Sequence, residues 1–151
     1  MENRQILLEH LNQTVVQLLA VYHELPDPNA TVYELWSAKD VLAHLTFWHE
    51  SFARNVDDLA HGRPPSPLKG RLSDLNQRGV DEMTHLSLGE VLARFEAAHA
   101  TLQANSLDPA LASIPYRKGS REYTVEEHLE IVSKHINFHL RDVQKALDAK
   151  S

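Results

Sequence analysis

The residues best suited to chemistry lie near the C-terminal end of the chain, where three histidines share one amphipathic segment. His128, His135 and His139 lie within the stretch EEHLEIVSKHINFHLRDVQ. His135 and His139 are four residues apart, and on an α-helix this spacing places two side chains one above the other on the same face. Such a pair can provide two ligands of a metal ion, and it can equally be a solvated surface pair.

A third ligand would favour the metal. Two imidazoles bind a divalent ion weakly, whereas three hold it and leave one coordination position open. The segment of residues 36–62 offers His44 and His49. At about 100° per residue, His49 lies closer to the centre of the apolar stripe than His44, so periodicity slightly favours His49 as the buried one. His44 lies on the flank of that stripe, which corresponds to the flank that carries the three C-terminal histidines.

Four amphipathic helices are predicted to position these side chains. Apolar residues that recur every three or four positions place the helices at residues 2–24, 37–62, 87–102 and 124–147. The last three begin with capping-box signatures: Ser37 with Asp40, Ser87 with Glu90, and Thr124 with Glu127. The four apolar stripes must pack together, which predicts an all-α protein with a four-helix bundle.

The connections between these helices are predicted to be irregular. Residues 72–85 fit a short helix or helical lead-in that Gly79 interrupts. No strand is expected, because IPYR and REYTV are too short and isolated to form a sheet with a face to bury.

Composition limits the classes of partner and compartment. The 151 residues fit a single domain that spans 1–151. The net charge is −6 without a basic cluster, so we expect no binding to nucleic acid. Cysteine is absent, which excludes disulfides, thiolate catalysis and sulfur ligands and suits a cytoplasmic location. No apolar run approaches the length of a membrane span, so we expect no membrane partner.

The sequence resembles the DinB-like (DinB/YfiT) superfamily over essentially its full length, and within it the ClbS/DfsB-type four-helix bundle proteins. The matching stretches are WSAKDVLAHLTFWHE, DLNQRGVDE, SLGEVLARFEAAHATL and KHINFHLRDV. The resemblance implies an up-down-down-up bundle with long crossover loops. The superfamily includes thiol-dependent transferases and isomerases, metal-dependent hydrolases and resistance proteins.

The resemblance also implies a set of metal ligands. Its metal-binding members use one histidine of the second helix and two of the last to hold zinc or nickel, which corresponds to His44, His135 and His139 here. By resemblance, therefore, His44 is preferred over His49 as the ligand. Ligation by nitrogen alone also suits zinc or nickel better than magnesium or calcium.

One hypothesis is a metal-dependent enzyme, either a hydrolase or a thiol-dependent transferase, in which the ion activates water or a thiol. The catalytic residues are then unknown, with His128, His49 and Glu50 as candidate acids or bases. Glu50 or Glu127 could orient a ligating imidazole.

The alternative hypothesis is a non-catalytic, resistance-type protein that binds or sequesters a small molecule in a cleft of the bundle. Its binding residues would be the aromatic side chains Trp36, Phe47, Trp48 and Tyr116. Whether the chain is an enzyme is therefore left open at this point, and a homodimer is a further possibility.

Overall fold

A computed structural model describes residues 2–150, which are mostly helical. Its five helices are α1 (Glu2–His23), α2 (Ala38–Ala60), α3 (Leu72–Glu82), α4 (Leu88–Asn105) and α5 (Val125–Lys150). The expected all-α class is confirmed in this sense, with α3 as a complete short helix in addition to the four long ones. Within the described range, no helix is long and apolar enough to cross a bilayer.

All three capping boxes predicted from the sequence are present. In each, a hydroxyl oxygen accepts the backbone N–H three residues later, and the carboxylate of that later residue accepts the backbone N–H of the first. They are formed by Ser37 with Asp40, Ser87 with Glu90, and Thr124 with Glu127. These local signals therefore account for where α2, α4 and α5 begin.

The expectation that no strand forms is wrong. Two antiparallel hairpins are present, β1 (Thr31–Tyr33) with β2 (Trp36–Ser37), and β3 (Ser113–Pro115) with β4 (Glu122–Thr124). A two-stranded hairpin is marginal in water by itself. Here both hairpins contact α2 and α5, and Ile114 of β3 is fully buried, so the helices provide the core that the strands lack.

Helix α2 occupies the centre of the fold. It contacts α3, α4 and α5, while α1 packs along α5. The core includes the fully buried Leu11, Leu42, Phe95, Leu102 and Ile136. Because α2 has neighbours on several sides, polar residues on more than one of its faces are enclosed by protein.

Helices α2 and α5 run in opposite directions. The ring of His44, early in α2, lies 5.0 Å from that of His135, and the ring of Phe52, two turns later, stacks at 4.5 Å on the earlier residue His128. The interface between the two helices therefore places the helix-two histidine beside the HxxxH pair.

Gly79 permits the close approach of α3 to α2. A β-carbon at this position would lie 2.6 Å from Cγ of Phe47, far inside normal contact distance. The glycine is therefore a packing requirement within a continuous helix rather than an interruption. The approach also brings Leu72 and Asn76 of α3 to the edge of the cavity described below.

Candidate metal centre

Three histidine side chains converge where α2 meets α5. Nε2 of His135 lies 3.1 Å from Nε2 of His44 and 3.1 Å from Nε2 of His139. One ring nitrogen from each residue lies within 4.8 Å of the others, an arrangement able to hold a metal ion. The structure thus brings together the three residues predicted as ligands.

The two nitrogen–nitrogen separations of 3.1 Å are close to those expected around a zinc-like ion. With metal–nitrogen bonds of about 2.0–2.1 Å, two nitrogens of a tetrahedral site lie about 3.3 Å apart. Ordinary two-centre hydrogen bonds cannot pair all three of these nitrogens, since each has either one N–H or one lone pair. An ion at the point of convergence would accept all three lone pairs.

Burial keeps the cluster in its metal-binding protonation state. It lowers the pKa of His44 to about 3, with further lowering by His135 and His139. The pKa of His135 is lowered to about 4, again mainly by burial and then by His139. Burial also lowers the pKa of His139, although Asp142 opposes the shift. The imidazoles are therefore neutral near pH 7, as ligation requires.

Tyr33 and Asp142 orient the ring of His139. The Tyr33 hydroxyl donates to Oδ2 of Asp142, and its oxygen lies 2.9 Å from Nδ1 of His139. Because the hydroxyl proton is used on Asp142, the oxygen is available to accept from Nδ1–H, which leaves the Nε2 lone pair for the ion. Burial and Asp142 both raise the pKa of Tyr33, which keeps the hydroxyl protonated.

Sequence reasoning did not identify these two supporting residues. Asp142 lies three residues after His139, so helical spacing could have indicated it. Tyr33 could not be found in this way, since it reaches the cluster on a hairpin that was not predicted.

His49 lies away from the cluster. Its Nε2 is 3.1 Å from Nδ1 of His99, and its ring stacks on Phe95 at 4.4 Å. The Nε2 of His99 lies in turn 2.8 Å from Oδ1 of Asn12. Both His44 and His49 are buried, which explains why periodicity could not separate them: different faces of α2 are covered by different helices.

The predicted carboxylate partners also lie elsewhere. Glu50 accepts two hydrogen bonds from Arg94, at 2.6 and 2.9 Å. Glu127 caps α5 through Thr124 and pairs with Arg121. These two carboxylates are thus engaged in links between elements, and the carboxylate beside the cluster is that of Asp142.

A cavity of about 390 Å³ extends from the cluster along α2 and α5. Its walls are largely apolar and include Trp36, Trp48, Phe52, Tyr116, Ile131 and Val132. Among the aromatic residues predicted for a binding cleft, Phe47 packs beneath Gly79 instead of lining the cavity. His128, the remaining candidate acid or base, lines the cavity and stacks on Phe52.

The fold and the cluster together define a helical protein with three histidines able to hold a metal at one end of a cavity. The sequence profile described as mycothiol maleylpyruvate isomerase N-terminal domain matches residues 8–123, and the chain belongs to this family. The match establishes the DinB-like relationship but does not identify the ClbS/DfsB branch. The matched range ends at residue 123, before His135 and His139.

Structural comparison extends the similarity to α5. The crystal structure of the mycothiol-dependent maleylpyruvate isomerase matches 94% of this chain with a TM-score of 0.61 and 14% sequence identity. A histidine-to-alanine mutant of that enzyme matches with a TM-score of 0.59. At this identity the likeness shows a shared fold, and this chain matches 58% of the length of either structure. No curated protein sequence matches the chain.

Proposed function

We propose that the chain is a metal-dependent enzyme in which His44, His135 and His139 hold zinc or nickel. The observation that carries the proposal is the convergence of three neutral imidazoles at one end of an apolar cavity. When bound, such an ion lowers the pKa of a coordinated thiol or water and so supplies a nucleophile at neutral pH. The protein's part is to keep the imidazoles neutral, to orient His139 through Tyr33, and to enclose the reacting groups.

A thiol is the preferred reactant over water. The family is named for an enzyme that uses the thiol mycothiol, and an apolar cavity suits the carbon skeleton of an organic thiol and substrate. We therefore propose a thiol-dependent transferase or isomerase, with hydrolysis as the second form of the same chemistry.

Metal analysis of protein purified without an affinity tag tests the site. We expect about one zinc or nickel ion per chain in the wild type and in His10→Ala, which changes an exposed histidine, and a loss of most of the ion in His135→Ala. Removal of the ion should lower the melting temperature, because the ion links α2 to α5. A chain that takes up no stoichiometric ion after dialysis against zinc or nickel would overturn the proposal.

Replacing the ion with cobalt tests whether the reactant is a thiol or water. The cobalt protein should gain a sulfur-to-cobalt absorption band with 2-mercaptoethanol and none with ethylene glycol. If this band appears in the wild type and not in His135→Ala, the result supports thiol activation at the histidine cluster. If the spectrum of the cobalt protein does not change when the thiol is added, hydrolysis is favoured.

The apolar lining also supports a second candidate, a protein that sequesters a small molecule as resistance proteins do. Trp36, Trp48 and Tyr116 would then be the main binding residues. This function predicts ligand-induced thermal stabilisation that a chelator leaves unchanged, whereas the enzyme requires the ion. If the chain is a member of the ClbS/DfsB branch, this sequestering function is the one we expect.

Contacts between the long helices support the finer topology implied by the resemblance. Arg4 bonds to Glu126 near the beginnings of α1 and α5. Helix α4 meets α2 through Arg94 on Glu50 and, later in both helices, through Asn105 on Asp57, so these two helices run in the same direction. We propose on this basis that α1, α2, α4 and α5 follow the up-down-down-up order. A single domain, a cytoplasmic location and a homodimer stay predictions from the sequence.

A further inference from the structure

Two buried polar residues at the end of the cavity away from the cluster carry side-chain atoms that have no hydrogen-bond partner among the described residues. His128 is 5% exposed, and neither Nδ1 nor Nε2 has a partner among the described residues. Asn55 is 2% exposed; its Nδ2 donates to the Pro115 carbonyl at 3.2 Å, while its Oδ1 is unpartnered within the same range. Both residues line the cavity, but the unpaired atoms themselves are closed to solvent, so a ligand group reaches them only by displacing neighbouring side chains.

A buried polar atom without a partner lowers the stability of a folded protein, because it has lost its hydrogen bonds to water. The surroundings of His128 suit a plain aromatic ring: Phe52 stacks on it at 4.5 Å, and Tyr116 and Tyr123 lie at 6.0 and 5.7 Å. A phenylalanine at position 128 would make the same ring contacts without burying unpaired nitrogen atoms. A ligand that enters the cavity would explain why the wall carries donors and acceptors here.

The positions along α5 set the distance between this polar end and the histidine cluster. His128, Ile131, Val132 and His135 all line the cavity. At about 1.5 Å of rise per residue, His128 lies about 10 Å along the helix from His135. The α5 side chains that line the cavity between them, Ile131 and Val132, are apolar, and on α2 the small polar Ser51 also lines this part. The cavity thus has two polar ends separated by a largely apolar middle.

The chemistry of the far end selects an uncharged group. Burial lowers the pKa of His128 to about 4, so its neutral ring offers one donor and one acceptor near pH 7. Asn55 adds an acceptor through Oδ1. No lysine or arginine is found among the described residues that line the cavity, so nothing there would neutralise a carboxylate.

We propose that His128 and Asn55 form a recognition site for a hydroxyl or primary amide group of an elongated apolar substrate whose other end reaches the histidine cluster. The elongated form rests on the proposed metal function. The recognition site itself does not, because neither of its residues belongs to the cluster. The substrate class is thus an apolar molecule, aromatic or aliphatic, with a neutral hydrogen-bonding group at one end and the reacting group about 10 Å away.

Calorimetric titration of chelator-treated protein with p-cresol and toluene tests the recognition site without the metal. The two probes differ by one hydroxyl. His128→Phe should weaken p-cresol binding about tenfold, the effect expected of one buried hydrogen bond, and should leave toluene binding unchanged or tighter. His128→Gln keeps a side chain that can form hydrogen bonds, so it should retain part of the preference for p-cresol over toluene.

Ser133→Ala is the matched control. Ser133 also lies on α5 and its buried hydroxyl also has no partner within residues 2–150, but it does not line this cavity. It should bind both probes like the wild type. Because His128→Phe removes an unpaired group, its melting temperature should be no lower than that of the wild type. If it fails to fold, Asn55→Leu tests the same preference for p-cresol.

Equal loss of p-cresol and toluene in His128→Phe would overturn the recognition site, as would tighter binding of 4-methylbenzoate than of p-cresol by the wild type. The elongated substrate is tested with zinc-loaded protein and the pair 6-mercaptohexan-1-ol and 1-hexanethiol. We expect the hydroxyl to improve binding in the wild type and not in His128→Phe. If neither thiol responds to zinc, the metal function fails while the p-cresol result stands.

Discussion

Tyr33 determines which nitrogen of His139 carries the proton, although it lies more than a hundred positions away along the chain. Its hydroxyl accepts from Nδ1 of His139 only because the carboxylate of Asp142 takes the hydroxyl proton. This chain of two hydrogen bonds links a hairpin, α5 and the candidate ion. The tautomer of one candidate ligand therefore depends on a residue outside the cluster.

Substitution Tyr33→Phe tests this link. Without the hydroxyl, Nδ1 of His139 loses its acceptor, and the affinity for zinc should fall about tenfold to a hundredfold, as is typical when a ligating histidine loses its outer partner. Competition with a chromogenic chelator measures the change. Tyr116→Phe is the control: Tyr116 lines the cavity, and its ring contacts are with Trp48, Tyr123 and His128 rather than with the three histidines of the cluster. Equal zinc affinity in both variants would show that Tyr33 has no such role.

The sequence predicts some residues of this site better than others. The His135 and His139 pair is visible in helical spacing alone, because both candidate ligands lie on one element. The choice of His44 over His49 needed the family resemblance, since both are buried and only the partners of α2 distinguish them. Asn55 gives no signal in the sequence, because its significance lies in its Oδ1 atom, for which the described part of the chain provides no hydrogen-bond donor.

At the scale of elements, α2 is held at a fixed distance from α3 by the contact between Gly79 and Phe47. Capping and apolar periodicity predicted where the long helices begin, since both are local properties. Two features were not predictable in the same way: that α3 continues through Gly79, and that the two hairpins form. They depend on surfaces that other elements present, and those surfaces exist only in the folded chain.

Gly79→Ala should destabilise the protein, although alanine is the better helix former by about 1 kcal/mol. The added methyl group would lie 2.6 Å from the Phe47 ring, and such overpacking costs about 1–3 kcal/mol. We expect a net loss of about 1 kcal/mol in the free energy of unfolding, measured by urea denaturation. Gly89→Ala in the first turn of α4 has space for the methyl group and should not destabilise. Equal behaviour of the two variants would contradict this account of α3.

At the scale of the whole molecule, buried neutral histidines link stability to pH. Burial lowers the pKa of His49 to about 3, with His99 contributing, and burial lowers the pKa of His99 to about 4. In the unfolded chain a histidine titrates near pH 6.5. Between these values the unfolded state binds protons that the folded state does not. The stability is therefore complete above about pH 6.5 and is lost as the pH falls.

Chelator-treated protein should accordingly lose stability between about pH 7 and about pH 5, by up to about 1.4 kcal/mol per pH unit for each proton taken up on unfolding. Urea denaturation over this range gives the slope. His49→Phe should have a shallower slope, whatever its stability at pH 7, and His10→Gln at an exposed position should keep the wild-type slope. If His49→Phe leaves the slope unchanged, the buried pair of His49 and His99 does not contribute to the pH dependence of the stability.

Both tryptophans of the chain border the cavity, and this gives the protein an optical reporter of its own site. The ring of Trp36 lies 4.9 Å from that of His44, and the ring of Trp48 stacks on Tyr116 at 5.1 Å. Fluorescence excited in the tryptophan band therefore originates entirely from the cavity wall. Emission from Trp36 should respond to an ion on His44, and emission from Trp48 to a molecule in the apolar middle, so occupancy of the two regions can be followed without a label.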